Sequence, residues 1–520
     1  MEHVKDIDRN AINAVARSVR TLTMDAVETS GSGHPGMPMG CAELGAVLYG
    51  EVMKHYNGDP QWLDRDRLVL SAGHGSMLLY SLLHMSGYGL PLEELKRLRR
   101  VGSMTPGHPE HEVTPGVETT TGPLGAGFGN AVGMAIAEAK LAAEFNTDEH
   151  PIIDHRTYVI VGDGCLMEGV GAEAASLAGH LRLGKLIVFY DANKISIEGN
   201  TDITFTEDVP ARFRAYGWQT LEGDAHDPRE LLSLIREAQA DREHPTLIKL
   251  HSVVGKSAPT MQGEHSVHGK PLGAEEIRRA RRALGVDEDA EFYVDPDAYR
   301  YFEERQHDWR RSYDQWQERF TAWAEANPAL KEKLDRYLEF GRSWYRDAQL
   351  PEYAVGEADA TRAVSGKVLN AYADAVPNLI GGSADLAGSN KTEMPQHGDY
   401  SAENQFGRTI RFGVREHLMG SLVNGVALHG GYRPFCATLF VFTDYMRPAI
   451  RLAALMKLPI IYILTHDSIY LGGDGPTHQP VEHLMALRII PNLFVLRPGD
   501  PEEAVEAWRI AMERLEGPTA

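Results

Sequence analysis

Apolar, β-branched runs recur through the first half of the chain, separated by amphipathic stretches of helical length. They are Arg67-Leu-Val-Leu-Ser71, Tyr158-Val-Ile-Val161, Leu186-Ile-Val-Phe-Tyr190 and Thr246-Leu-Ile-Lys-Leu250. Such runs predict parallel strands of an α/β unit, buried on both faces. The pattern breaks off between about Glu275 and Gly341, where charged and aromatic residues fall at helical spacing, as in DAYRYFEERQHDWRRSYDQWQERF. That segment predicts long surface helices joining two bodies. After LPEYAVGEADATR, strand-like runs return at Asn378–Gly382, Thr409–Phe412, Pro459–Leu464 and Asn492–Leu496. The expectation is an α/β protein of two domains, each a mainly parallel sheet flanked by helices. They are placed at residues 1–300 and 353–520, with a helical linker over 301–352.

At 520 residues the chain exceeds one ordinary core, in keeping with that division. A formal net charge of -21 argues against general attraction to nucleic acid or to an anionic membrane, so an anionic ligand needs a local device to hold it. Cys41, Cys165 and Cys436 are too few and too far apart for a disulfide framework or a zinc site, and MEHVKDIDRN carries no apolar signal region. No run approaches the length of a membrane helix, and a cytoplasmic location is expected. Histidine changes the picture most. Many of the 22 sit in Gly/Pro-rich loop sequences, SGHPG, AGHGS, PGHPE, VHGK and PTHQP among them, where chemistry is a better explanation than packing.

The run ending at Val161 is followed by Gly162-Asp163-Gly164, and 28 residues separate Gly164 from Asn193, which again lies just past a strand-like run. Taken singly, Gly-Asp-Gly is most simply an Asx turn and Asn193 a helix cap. Together, at the carboxyl edge of one parallel sheet, Asp163, Asn193 and the Ile195 carbonyl can offer hard oxygen ligands to a small divalent cation. Mg2+ suits this set, with Ca2+ or Mn2+ as substitutes. It would neutralise the carboxylate and a bound diphosphate at once.

The Asp-Gly start, the Asn about thirty residues on and the following Lys-Ile resemble the thiamine diphosphate signature. Further motifs narrow the resemblance to the transketolase family: SGHPGMPMG, SAGHGSMLLY, GHPE, TTTGPLGAGFGNAVGMA, EHSVHG, GGSADL, GVREHLMG and THDSI with DGPTHQP. They are ordered along essentially the whole chain.

The resemblance implies a thiamine diphosphate- and magnesium-dependent ketol transferase, a homodimer with active sites at the subunit interface. A two-carbon unit would pass from a ketose phosphate such as xylulose 5-phosphate to an aldose phosphate such as ribose 5-phosphate or erythrose 4-phosphate, as in the pentose phosphate pathway. It also implies residue roles. Gly122, Leu124, Gly164, His74, His265 and Asp385 border the cofactor, and Glu168 joins Glu173 in an acid network across the dimer. Glu416 contacts the aminopyrimidine ring, where a carboxyl bonded to a ring nitrogen can favour the imino tautomer, and Phe442 and Tyr445 hold that ring. His34 and His265 flank the C3 hydroxyl of the sugar, His108 and Asp474 hold the C1 hydroxyl region, and His478 assists proton transfer. Arg362, Ser389 and His466 match the phosphate-holding residues.

Some positions depart from the family pattern. Tyr470 stands where Gly is usual, Gly473 where Glu is usual, and Leu439 where an aromatic can occur. Relatives continue past Gly517-Pro-Thr-Ala520 into a strand bearing another phosphate-binding Arg and a third α/β domain, which this chain is expected to lack. Tyr470, Gly473 and the missing Arg motivate one alternative, a related transferase with formaldehyde or unphosphorylated acceptors. A second, a noncatalytic regulatory protein that keeps the fold, is opposed by the retention of Asp163, Asn193, Glu416 and the loop histidines.

Overall fold

The computed structural model describes residues 7–520; the first six, with much of the N-terminal stretch read as lacking a signal region, lie outside it. The chain divides into two compact units, one formed up to Phe128 and by His155–Glu318, the other by Gly129–Asp154 and Arg319–Ala520.

The first unit holds a five-stranded sheet of β1 (Arg67–Leu70), β2 (Thr157–Gly162), β3 (Leu186–Asp191), β4 (Gln219–Asp224) and β5 (Thr246–His251), in the order β1-β2-β3-β5-β4. Every pairing is parallel. The four apolar runs became β1, β2, β3 and β5. The polar segment QTLEGD forms β4, which tolerates its charges because it lies at the sheet edge and is largely solvated. Register pairs Gly162 with Asp191, so Asp163 and Asn193 leave neighbouring strands at the same carboxyl edge.

A helix over Arg9–Ser30 carries the chain toward this edge. Asp8 caps it by accepting from the Asn10 and Ala11 amides, and Gly31 ends it at φ 71°, where a side chain would be strained. Ile12, Val15, Val19 and Leu22 are fully buried. Its buried charges are paired: Arg20 with Glu43 at 2.7 Å and Asp25 with Arg281 at 2.6 Å. In the long helix Pro296–Ala326, Trp309, Trp316 and Trp323 recur every seven residues and are buried, so this aromatic segment is a packed face as well as a surface helix. Within the first unit Trp309 lies 4.1 Å from the His55 ring and Trp316 lies edge-on to Trp62. Within the second, Trp323 donates its indole N–H to the Phe145 carbonyl at 2.8 Å.

The second unit contains a three-stranded parallel sheet of β6 (Leu379–Ser383), β7 (Arg433–Leu439) and β8 (Ile461–Thr465), in that order. The runs at Thr409–Phe412 and Asn492–Leu496 contribute isolated bridges, through Thr409 and Phe494, in place of full strands. Close approach of two helical segments explains a set of small residues here. A Cβ on Gly133 would stand 2.0 Å from the Leu422 carbonyl oxygen, and one on Gly425 would stand 1.8 Å from that of Asn130. Among the described residues no helix is long and apolar enough to cross a membrane.

Candidate active site

Asp163 is buried at the carboxyl end of β2 and accepts a short hydrogen bond from the Tyr190 hydroxyl. Burial pushes its carboxyl up to about 6, a rise opposed by the Tyr190 bond and reinforced by neighbouring Asp191. Asp191 is itself raised by burial, against hydrogen bonds from Ser252 and Asn193. Asn193 donates to Asp191 at 2.8 Å and accepts from the Ile195 amide at 2.9 Å, which orients the amide oxygen and fixes the backbone that carries the Ile195 carbonyl. The buried Asp163 carboxylate, the oriented Asn193 amide oxygen and the Ile195 carbonyl are a hard donor set, and a small divalent cation there would offset the charge of Asp163 and of Asp191 beside it. The residues fit magnesium.

Beside this edge lies a glycine-built cradle. Ser71 Oγ accepts from the Phe128 amide at 3.1 Å and so satisfies one of the first N–H groups of the Ala126–Phe145 helix. Gly122, ahead of that helix, has φ 139°, and a Cβ on Gly164 would stand 2.7 Å from Leu124 Cδ1. Leu124 and Gly164 thus pack as closely as backbone allows. Glu168 is exposed in the single chain, and Glu173 is half-buried.

Four histidines gather in the same unit. The His34 ring centroid lies 5.4 Å from that of His74, 6.0 Å from His108 and 5.8 Å from His268, and His74 and His268 are 5.1 Å apart. Burial first, then Arg99 and neighbouring imidazoles, push His34 down to about 4; burial and the other three imidazoles push His74 down to about 3. His108 is lowered by burial and then Arg99, and His268 by burial. All four are therefore neutral at pH 7, able to donate or accept a proton. His265, the histidine selected from EHSVHG, is exposed and outside these ring contacts. A short 3-10 turn over His265–Val267 buries Val267 and delivers His268 to the cluster instead. Arg99 is a second residue missed from sequence: its Nη2 lies 3.1 Å from His34 Nδ1.

The second unit brings together other members of the set. Phe442 and Tyr445 have ring centroids 6.1 Å apart, and the His478 ring meets Phe442 edge-on at 5.4 Å. Tyr445 is 65% exposed. Glu416 is half-buried at the first position of the Glu416–His429 helix. Arg362 donates from Nη1 to His466 Nε2 at 2.8 Å. Both line a cavity of about 590 Å³ beside β8, together with Tyr470 and Arg497. Ser389, Asp385 and Asp474 are exposed; Asp385 holds a left-handed backbone at φ 60°. Tyr470 is 92% exposed.

Comparison with known proteins adds a family to this geometry. Residues 10–342 match the family model described as transketolase, thiamine diphosphate binding domain, and residues 357–520 match transketolase, pyrimidine binding domain. The chain is 53% identical to a transketolase of Treponema pallidum over 98% of its own length and 77% of the relative's. To one of Geobacillus stearothermophilus it is 52% identical over 97% of its length and 76% of the relative's. Among solved structures, a transketolase from Leishmania mexicana superposes with a TM-score of 0.95 at 46% identity, over 98% of this chain and 76% of that one. A Pichia stipitis transketolase in complex with sedoheptulose-7-phosphate also gives 0.95, at 43% identity and the same coverage.

Proposed function

The chain belongs to the transketolase family, and from that premise we propose which of its residues carry the reaction. It is a thiamine diphosphate-dependent transketolase that uses a divalent metal and works in pentose phosphate metabolism. When bound, thiamine diphosphate supplies the carbon nucleophile that lets the ketose C2–C3 bond break.

Asp163, Asn193 and the Ile195 carbonyl hold the cation, while Gly122, Leu124, Gly164 and His74 line the cofactor's bed. Glu416 would donate from its carboxyl to a ring nitrogen of the aminopyrimidine, and Phe442 and Tyr445 would provide its apolar platform. His34, His108 and His268 face the sugar hydroxyls, with His268 taking the place first given to His265, and proton transfer at C3 falls to this neutral cluster. Asp474 joins His108 at C1, and His478 assists protonation. Arg362, Ser389 and His466 hold the sugar phosphate, Arg362 being suited to it as a forked cation.

A second copy of the chain completes each site. Exposure of Tyr445 and Glu168 in the single chain supports that reading, since an aromatic ring platform and an acid network both work best sheltered from water. The diphosphate and magnesium roles are assigned to residues 1–300 and the pyrimidine role to 353–520, with 301–352 as a helical linker. The family-model matches over 10–342 and 357–520 support the second boundary and carry the first domain's match into the linker. Three buried free thiols, Cys41, Cys165 and Cys436, support a reducing, cytoplasmic setting.

The observation that carries the role assignments is the neutral histidine cluster beside a cation-ready carboxylate. Ketol transfer from xylulose 5-phosphate to ribose 5-phosphate, measured with thiamine diphosphate and magnesium, tests it. His268→Ala is expected to lower kcat by about a hundredfold and His265→Ala to leave it within a few fold; the reverse order would return the role to His265. Glu416→Ala is expected to bind the cofactor yet lose turnover, and near-normal turnover would remove Glu416 from the mechanism.

A further inference from the structure

Arg99 occupies an unusual position. Its backbone lies in the left-handed region at φ 63°, where a bulky side chain is disfavoured, and its amide is pinned to the Thr105 carbonyl at 2.9 Å. That turn brings the guanidinium back across the chain. Nη2 lies 3.1 Å from His34 Nδ1, and Nη1 lies 3.2 Å from Ser32 Oγ. Arginine has five donors and no acceptor, so His34 Nδ1 must be the acceptor in this pair. The ring proton of neutral His34 therefore sits on Nε2.

We infer that Arg99 is a positioning residue that fixes His34 as an Nε2–H hydrogen-bond donor toward the sugar, so that His34 steadies a hydroxyl oxygen and does not take its proton. The inference rests on the placement of His34 beside the sugar argued above. The groups facing His34 are Arg99 and the imidazoles of His74, His108 and His268. Among the described residues no carboxylate joins them to favour a charged ring. Burial and the Arg99 charge hold His34 at about 4, so the neutral form persists through the working range, and its lone pair on Nδ1 stays engaged. Proton acceptance at C3 is left to another member of the cluster, with His268, edge-on to His34 at 5.8 Å, best placed.

Two-bond 1H–15N correlation spectra of histidine-labelled holoenzyme, with the His34 signals assigned by their loss in His34→Gln, read the tautomer directly. Wild type is expected to show the proton on Nε2 from pH 6 to 8. Arg99→Met is expected to mix the tautomers, move the acid limb of kcat/KM to higher pH and lower kcat about tenfold, while cofactor affinity holds. Arg99→Lys, which keeps a charge and a donor, is expected to recover part of each effect. A proton on Nδ1 in wild type, or an unchanged tautomer and pH profile in Arg99→Met, overturns the inference; if that variant fails to fold, the wild-type tautomer and Arg99→Lys still decide it. Full turnover by His34→Gln would instead overturn the placement of His34 beside the sugar.

Discussion

Arg362 and His466, 104 residues apart in sequence, meet with Nη1 to Nε2 at 2.8 Å, and the histidine's other nitrogen is tied back into the fold. His466 Nδ1 lies 2.7 Å from Thr465 Oγ1, whose hydroxyl donates to Asn390 Oδ1 at 2.6 Å. This order leaves Nδ1 as the donor and Nε2 as the acceptor from Arg362. The pair is thus oriented before any phosphate arrives, and a charge-assisted contact of this kind contributes about 1.5–3 kcal/mol. Arg362→Ala is expected to raise KM for ribose 5-phosphate by about ten- to a hundredfold. KM for an unphosphorylated aldose should hardly change, and paired steady-state measurements on the two acceptors check the difference.

Asp163 has a different proposed ligand, the divalent cation. Its carboxyl is buried next to Asp191, an arrangement that gains from a cation and loses little when its own charge is removed. Asp163→Asn is expected to keep the apo fold, because an amide can still accept from Tyr190. It should, however, lose most of the thermal stabilisation that thiamine diphosphate with magnesium gives the wild type. Differential scanning calorimetry of both proteins, with and without the two ligands, checks it; an undiminished ligand-induced rise in Tm would remove Asp163 from the metal site.

How far these sites were legible depended on whether the deciding contact was local. Asp163 and Asn193 could be paired from sequence because each follows an apolar run, and parallel strands must end on a common edge. That His268 and not His265 joins the histidine cluster could not be read by the same means. Both lie in EHSVHG, and the choice is made by a turn that buries Val267. Arg99 was invisible because its contact with His34 spans 65 residues and depends on a left-handed backbone. Strand β4 was missed because it is polar and solvated. RPFCATL, which opens with Arg and Pro, became a fully buried central strand because Arg433 donates to the carbonyls of Ala511 and Arg514 at a helix end, the latter at 2.8 Å. Those acceptors lie 78 and 81 residues downstream.

Gly133 and Gly425 carry a packing consequence. Each lies where a methyl group would stand far inside van der Waals contact of a carbonyl oxygen, 2.0 Å at Leu422 and 1.8 Å at Asn130. Those oxygens are backbone atoms in helices and cannot swing aside. Alanine, ordinarily the better helix former, is therefore expected to destabilise the protein at either position, by about 1–3 kcal/mol of overpacking. Urea denaturation of Gly133→Ala should show a lower midpoint with an unchanged slope.

Buried histidines govern the response to acid, and His55 isolates the effect because it lies outside the proposed active site. Its Nε2 lies 3.0 Å from the Tyr49 carbonyl, so that nitrogen donates, and Nδ1 accepts from the Tyr88 hydroxyl at 2.8 Å. With both nitrogens used and the Trp309 ring 4.1 Å away, there is no room for a hydrated imidazolium. Burial holds the folded-state value down to about 4, partly offset by the Tyr49 bond, against 6.5 for the free side chain. Between those values the unfolded chain binds the extra proton. Stability therefore rises with pH across this window, is fully gained above about 6.5, and is lost as pH falls toward 4. At pH 5 the loss from this one group is about 2 kcal/mol. Replacing His55 with Gln, which offers a donor and an acceptor but does not titrate, should cost stability at pH 7 yet flatten the decline from pH 7 to pH 5. Urea midpoints at the two pH values for wild type and His55→Gln supply the test. His34 and His74, depressed in the same sense, continue the acid loss in both proteins, so the difference between the two slopes belongs to His55.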